Sequence, residues 1–262
     1  MSENRYRVSV VTPAYNSAAT IARCVESVKA QTYPDIEHIV VDGGSTDGTV
    51  ELLREMGVRC LSEPDAGIYH AMNKGVRMAS GEIIHILNSD DWYSENDVVS
   101  TMVDLMDSGK FDVCHAYVAQ VDSEGDEVCR IGADVSKEQL FQKMRVAHPS
   151  CFVRAFVYHR FGDYSSCFKI VADYDYILRI WSKVKIGFLP KVIVQMQWGG
   201  VSNSNPVKSY KESMAVALVH GKGVLPALIT FCYECVKHFI VMRVRKLRAR
   251  SEEKPSKGDG GR

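Results

Sequence analysis

The sequence has no surplus of charge of either sign: 32 Lys and Arg offset 32 Asp and Glu over 262 residues. A general nucleic-acid binder needs a basic excess to neutralise phosphates, so that class is excluded. Cysteine is sparse, with 8 residues scattered along the chain. That is far below the density of a disulfide-stapled scaffold and points to a reducing compartment. The one CxxC pair, Cys232 and Cys235, has no second pair and lies in an apolar stretch, so it is not read as a metal site. No run of about 18 or more uncharged apolar residues occurs, and no ordinary transmembrane helix is expected. The N-terminal apolar run is short and ends at Pro13, unlike a signal peptide. The GxGxxG, GxxxxGK[ST] and GxSxG motifs are all absent. A composition of 46% hydrophobic and 24% charged residues also excludes disorder of the bulk.

What is present is an alternation of apolar runs and helical patterns. Residues 7–12 form an apolar run stopped by Pro13, a buried strand. Ser17 is placed to cap a helix with the stripe Ile21, Cys24, Val25 and Val28. Residues 37–41, 58–61 and 82–87 read as further strands, with helices between them. This order implies a mostly parallel sheet flanked by helices, an α/β fold. Three of the strands run into polar or acidic clusters: Thr12–Asn16, Asp42–Asp47 and Asn88–Asp91. Ligands of such sheets bind outside the carboxyl ends of the strands, so the three clusters should meet on one edge. Farther on, residues 113–121 and 127–131 read as a hairpin. Residues 172–181 start a helix, and 185–197 read as strand broken at Pro190.

The clusters carry chemistry. Asp90 and Asp91 are adjacent hard oxygen ligands after a strand, suited to Mg²⁺ or Mn²⁺; the plainer reading is a polar turn. Asp42-Gly-Gly-Ser-Thr-Asp-Gly48 admits close ligand approach, or is simply a tight βα loop. Asp173 opens a helix, where the dipole favours a carboxylate; it serves as a general base or as a cap. His148 reads equally as a substrate contact or a satisfied loop histidine. The aromatics Tyr69, Trp92, Tyr174 and Trp198 line a sugar pocket or pack the core.

Five segments together resemble the ordered motifs of family 2 glycosyltransferases: Val8–Asn16, Val41–Thr49, Ala71–Gly75, Leu87–Asp91 and Asp173–Arg179. With Pro64–Tyr69, they are similar to bacterial enzymes of capsule, colanic-acid-like or O-antigen synthesis. The resemblance implies a GT-A fold, a nucleotide-sugar donor and inversion at the anomeric carbon. It places Thr12, Pro13, Tyr15, Asp42, Asp65, Asn73, Lys74 and Asp90 around the nucleotide sugar. It gives Asp90 and Asp91 the metal, Mn²⁺ or Mg²⁺, and Asp173 the role of base. His148, Trp92 and Tyr174 are candidates for the acceptor pocket. The chain departs from the common pattern at Gly43, Asn88 and Ala172, each of which removes a carboxylate.

The expected organisation is a catalytic domain over 1–205, with a nucleotide-sugar half (about 5–110) and an acceptor half (111–205). A helical extension over 206–250 and a disordered tail over 251–262 follow. Residues 225–242 carry only Glu234 and Lys237 as formal charges, and Arg243, Arg245, Lys246, Arg248 and Arg250 come next. This amphipathic end, 224–250, is a candidate membrane-surface contact or a helix packed on the domain. The expected partners are a nucleotide sugar, UDP-linked in preference to GDP-linked, and a glycan or polyprenyl-linked glycan, with no nucleic acid. The expected location is the cytoplasm, at the inner face of the membrane if the extension binds it. A sugar-phosphate nucleotidyltransferase and a non-catalytic nucleotide-sugar-binding module are the alternatives.

Overall fold

The computed structural model describes residues 6–197 and 206–252. The chain divides into two compact units, residues 1–200 and 201–262. In the first unit, nine strands form one mixed sheet in the order β3-β2-β1-β4-β8-β6-β9-β5, with β7 paired to β6.

The parallel part is the one the sequence periodicity predicts. β1 (Val8–Ala14) is buried along its whole length, because it pairs with β2 (Ile36–Asp42) on one side and β4 (Ile83–Ile86) on the other. β3 (Arg59–Ser62) extends the sheet beyond β2. The helices α1 (Ile21–Lys29), α2 (Thr49–Glu55) and α3 (Ile68–Met78) make the crossovers. α1 buries Ile21, Cys24, Val25 and Val28, the stripe expected from its spacing. Its start differs from expectation. Ser17 does not cap it; the Ser17 carbonyl accepts the amides of Thr20 and Ile21, and its side chain turns toward the β4 loop. α3 lies so close to β1 that a Cβ on Gly75 would stand 2.1 Å from Val11 Cγ1. Only glycine permits that approach.

Beyond β4 the sheet is mixed: β6 (Val113–Val121) and β9 (Ile186–Gln197) run parallel, and the other pairs are antiparallel. β8 (Phe152–Arg154) pairs antiparallel with β4 and with β6, and β6 forms the expected hairpin with β7 (Glu127–Ile131). β9 is one strand and is not broken at Pro190. Its register against β6 slips past Pro190 and Lys191, so the proline sits in a bulge where no ladder amide is needed. The short β5 (Asp91–Tyr93) pairs with β9 rather than with β4, which precedes it. α4 (Val98–Ser108) covers the core through Val98, Val99, Met102, Val103 and Met106. α5 (Lys137–Gln142), α6 (Ala155–Phe161) and α7 (Ala172–Ile180) complete the unit.

His85, His115 and His148 are buried in this core, and His38 is half-buried. His85 donates from Nε2 to the Pro149 carbonyl at 2.8 Å, which leaves Nδ1 to accept from Tyr93 Oη at 2.6 Å. Its ring stacks on Phe152. Burial pushes its pKa down to about 3, and those of His38 and His115 down to about 4. The fold therefore holds neutral imidazoles, while the unfolded chain takes up protons below its ordinary value of 6.5. Stability rises with pH wherever the unfolded state binds more protons, so it is full above that value and falls progressively below it. Each such group costs about 1.4 kcal/mol per pH unit in that window, while the raised carboxyls of Asp90 and Asp91 act in the opposite sense. The urea midpoint should drop steeply between pH 7.5 and 5.5. His115 packs on Trp181 and Phe188 with Nδ1 unpartnered, so His115→Phe should flatten the slope. A slope in His115→Phe equal to that of wild type would contradict the neutral core.

The second unit holds α8 (Pro206–Val219) and α9 (Val224–Glu252). They are tied by the Tyr210 and His238 rings, 6.3 Å apart. Lys222 Nζ, in the turn between them, donates to Thr230 Oγ1 at 2.7 Å. The helix includes Ser251 and Glu252, where the tail was expected to begin; residues 253–262 lie outside the described residues. The window Val224–Val241, with mean hydropathy 1.5, is long and apolar enough by composition to cross a membrane.

Candidate active site

The three polar clusters meet. The β1 loop is bonded to the β2 loop at three points: Asn16 N donates to Ser45 Oγ (2.7 Å), Ser17 N to Thr49 Oγ1 (2.8 Å) and Ala18 N to Asp47 Oδ2 (3.0 Å). Thr46 N returns a bond to Asn16 Oδ1 at 3.0 Å. Asn16 takes a left-handed φ of 48°, which asparagine tolerates. The β4 loop joins through Ser17 Oγ and Ser89 Oγ at 2.8 Å. The result is one polar rim over the carboxyl ends of β1, β2 and β4.

Asp42 organises this rim rather than opening onto it. It is fully buried. One carboxylate oxygen accepts the amides of Gly44 (3.0 Å) and Ser45 (2.9 Å) and the Ser62 hydroxyl (2.7 Å). The other takes the Ser45 hydroxyl. Burial would raise its pKa, but these hydrogen bonds outweigh it and hold the carboxyl below the usual range. Thr12 is likewise buried, with Oγ1 2.9 Å from His38 Nε2. Pro13 is buried beside Val41. Tyr15, by contrast, is 66% exposed. Beside it, a Cβ at Gly43 would stand 2.9 Å from Asp65 Oδ2 and 3.3 Å from Tyr15 Cδ2. Tyr15, Gly43 and Asp65 are therefore neighbours.

The acidic pair divides into an inner and an outer member. Asp91 is fully buried, and its Oδ2 accepts from Asn88 Nδ2 at 2.9 Å. Burial and the charge of Asp90 push its carboxyl well above the usual range. Asp90 is only partly covered, and burial raises it too. Asp91 Oδ1 and Asn88 Oδ1 are buried without a hydrogen-bond partner. Two acceptor oxygens left dry, next to two carboxyls strained toward protonation, fit a divalent cation. Among the described residues no group of three His, Cys, Asp or Glu converges, so the protein would supply only part of the ligand shell. Mg²⁺ and similar hard ions often leave the remainder to water and phosphate.

Asp173 stands in the first turn of α7. Tyr69 Oη, at the start of α3, lies 2.9 Å from Asp173 Oδ1 and 2.7 Å from the Ile170 carbonyl, and its single proton serves either. Burial and the Asp173 carboxylate raise the Tyr69 pKa well above 10. The segment that carries Asp65 thus also reaches Asp173. Asp175, in the same turn, is committed to Arg179 at 2.5 Å, and Arg179 ties down the carbonyls of Phe161 and Asp163.

Other expected residues have partners within the fold. Asn73 Nδ2 donates to the Tyr164 carbonyl and its Oδ1 accepts the Tyr164 amide, both at 2.9 Å. This pins the segment before α7 to α3. Lys74 pairs with Glu63 at 2.8 Å. His148 is buried with Nε2 2.8 Å from Tyr164 Oη; burial lowers its pKa, opposed by the Asp173 charge. Tyr174 is buried and donates to the Leu140 carbonyl at 2.5 Å. Trp92 donates to Gln195 Oε1 at 2.6 Å under the Arg23 guanidinium. Trp198 lies outside the described residues. Sequence reasoning missed the hydroxyl contact of Tyr69 and the role of Tyr164. No local signal joins residues 69 and 173.

A parallel β3-β2-β1-β4 half with acidic strand ends, continued by a mixed half beside which α7 carries a carboxylate, is the architecture of a GT-A glycosyltransferase. Residues 9–161 match the model described as "Glycosyl transferase family 2", and the chain belongs to that family. It is 26% identical over 244 residues to a PGL/p-HBAD biosynthesis glycosyltransferase of Mycobacterium tuberculosis, covering 90% of this chain and 94% of the relative. It is 30% identical over 193 residues to a Pasteurella multocida chondroitin synthase, covering 71% of this chain and 20% of the relative. Among solved structures, S. aureus TarS 1-349 in complex with UDP-GlcNAc matches with a TM-score of 0.67 at 18% identity, covering 89% of this chain and 72% of that one. This chain spans 43% of the longer TarS structure. The Pyrobaculum calidifontis mannosyltransferase PcManGT, in complex with GDP-Man and Mn2+, matches with a TM-score of 0.63 at 18% identity, covering 97% and 82%.

Proposed function

We propose that the chain is a metal-dependent, inverting glycosyltransferase that moves a sugar from a nucleoside-diphosphate donor, UDP-linked, to a hydroxyl of a glycan or lipid-linked glycan in surface polysaccharide synthesis. The observation that carries this is the Tyr69–Asp173 hydrogen bond. It holds a carboxylate on the segment that also carries Asp65, whose neighbours are Gly43 and Tyr15 of the polar rim. In this reading Asp173 takes the proton of the acceptor hydroxyl, Tyr69 fixes its orientation, and Asp90, with Asp91 and Asn88 behind it, holds the metal. When bound, a divalent cation neutralises the charge of the departing diphosphate. UDP-GlcNAc in the TarS complex and GDP-Man with Mn2+ in the PcManGT complex support a nucleotide-sugar donor. The names of the mycobacterial and Pasteurella relatives support an acceptor that is a growing glycan or glycolipid. Ligands that bind only the folded state raise its stability. A thermal-shift screen with Mn²⁺ should therefore show stabilisation by UDP-sugars; none by any nucleotide sugar would contradict the donor assignment.

The second unit is assigned to the inner face of a membrane. On α9, Val224, Leu225, Leu228, Ile229, Tyr233, Val236, Phe239 and Ile240 are exposed on one half of the helix, and Val241 is exposed on the other. Thr230, Glu234, Lys237 and His238 fall on the other half. An apolar exposed helix followed by five Arg and Lys suits contact with an anionic bilayer. Ile229→Asp with Phe239→Asp in the full chain should cut co-sedimentation with anionic vesicles about tenfold and leave donor hydrolysis intact. Equal sedimentation would remove the membrane role.

A further inference from the structure

One ridge of α3 holds the segment that leads into Asp173. Tyr69, Asn73 and Arg77 follow one another at i, i+4 and i+8, so their side chains lie in a row along the helix. The segment they meet, residues 162–171, joins α6 to α7 without helix or strand of its own. It runs against the helix direction: Arg77 pairs with Asp163, Asn73 holds Tyr164, and Tyr69 reaches the Ile170 carbonyl and Asp173 Oδ1. The outer pair is exposed, and pairs of that kind contribute little. The middle contact is of another kind. Asn73 commits its whole amide to one backbone unit, donating to the Tyr164 carbonyl and accepting the Tyr164 amide, both at 2.9 Å, as a neighbouring strand would. Tyr164 is also fixed at its far end, where its hydroxyl lies 2.8 Å from His148 Nε2 and 2.9 Å from Tyr158 Oη. Its buried ring packs on Tyr69 at 5.8 Å and on Tyr176 of α7 at 4.9 Å.

We infer that Asn73 is a positioning residue for the reaction: through the Tyr164 backbone it sets how the Tyr164 ring wedges between Tyr69 and α7, and so where the Asp173 carboxylate stands. The inference rests on the glycosyltransferase reading above and deepens it, by assigning Asn73 to the base rather than to the nucleotide sugar. A carboxylate that takes a proton from an acceptor must stand within hydrogen-bond reach of it, and a misplacement of about 1 Å costs about 10²-fold in rate. The Tyr69 hydroxyl does not fix that position alone, because it has one proton for two acceptors. The Tyr164 ring backs the Tyr69 ring from the side, and Tyr176 ties the same wedge to the helix that bears Asp173. Without Asn73 the Tyr164 amide and carbonyl lose their partner, while the hydroxyl contacts of Tyr164 remain. The bonds that join the rim over β1, β2 and β4 use none of these groups, so donor binding should be spared.

The test uses the full chain in Mn²⁺. Titration calorimetry gives UDP affinity, and UDP release is followed from UDP-GlcNAc, UDP-glucose and UDP-galactose with water as the acceptor. Asn73→Ala should lower the release rate by about 10- to 100-fold and leave UDP affinity within about twofold. Asn73→Asp keeps an oxygen for the Tyr164 amide and loses the donor to the Tyr164 carbonyl. It should lower the rate less, and it carries the test if Asn73→Ala does not fold. Background dependence separates positioning from mere structure, because groups that act as one unit are not additive. In Asp173→Asn, the further change at Asn73 should cost no more than about twofold. Three results would each overturn the inference and leave the glycosyltransferase reading intact: the same fold loss in the Asp173→Asn background as in wild type, a UDP affinity that falls in step with rate, or wild-type rates in both Asn73 variants. Failure of wild type to release UDP from any of the three donors overturns both.

Discussion

Asp173→Asn is expected to lower kcat by about 10² or more while donor affinity stays within about twofold. The magnitude is that of a missing general base. The substitution suits the purpose because asparagine keeps an oxygen to accept from Tyr69 Oη, now 2.9 Å from Asp173 Oδ1, and so preserves the packing at the start of α7. What it loses is the ability to take a proton from the acceptor. Asp175, two residues on, cannot take over, because it is buried and committed to Arg179. Donor titration and single-turnover transfer measured on the same variant separate the roles. Loss of donor affinity in step with rate would move Asp173 from the reaction to donor binding or to folding.

Asp90→Asn is expected to cost about 10³ in metal-supported turnover, since polarising a leaving phosphate is worth several kcal/mol. Asp90 is the partly open member of the pair, whereas Asp91 is fully buried with Asn88 on Oδ2. Asp91→Asn should therefore cost less, about 10- to 100-fold, the scale of a residue that supports a metal site from behind. Binding of Mn²⁺, followed by electron paramagnetic resonance, should weaken in both variants. Full turnover of Asp90→Asn at saturating Mn²⁺ would sink the metal assignment.

Much of the first half of the fold is legible in the sequence because its signals are local. β1 and the second half of β2, residues 39–41, are mainly apolar because both faces are covered, and the helix stripe of α1 is regular. The rim is legible for a related reason: polar clusters that end parallel strands must share an edge. The parts that escape are pairings between distant segments. β5 joins β9 across about a hundred residues, and Asn73 holds the Tyr164 backbone, with nothing in either segment to announce it. Proline at 190 reads as a strand break, yet the bulge lets β9 continue. Thr12 and Asp42 look like ligand contacts because they are polar at a strand end. Burial turns Thr12 toward His38 and Asp42 toward its own loop. Composition cannot report that difference, because it depends on which way a side chain faces.

The balance of acids and bases also takes on a shape. Carboxylates gather at the strand ends, and five of the cations follow the apolar stretch of α9. The chain's central chemistry is most directly tested by identifying the phosphate product. Incubated with Mn²⁺, a UDP-sugar and a hydroxyl acceptor, the protein should release UDP in step with glycoside formed, with the anomeric configuration inverted. Release of pyrophosphate from a nucleoside triphosphate and a sugar phosphate, without UDP release, would contradict the account and support a nucleotidyltransferase instead.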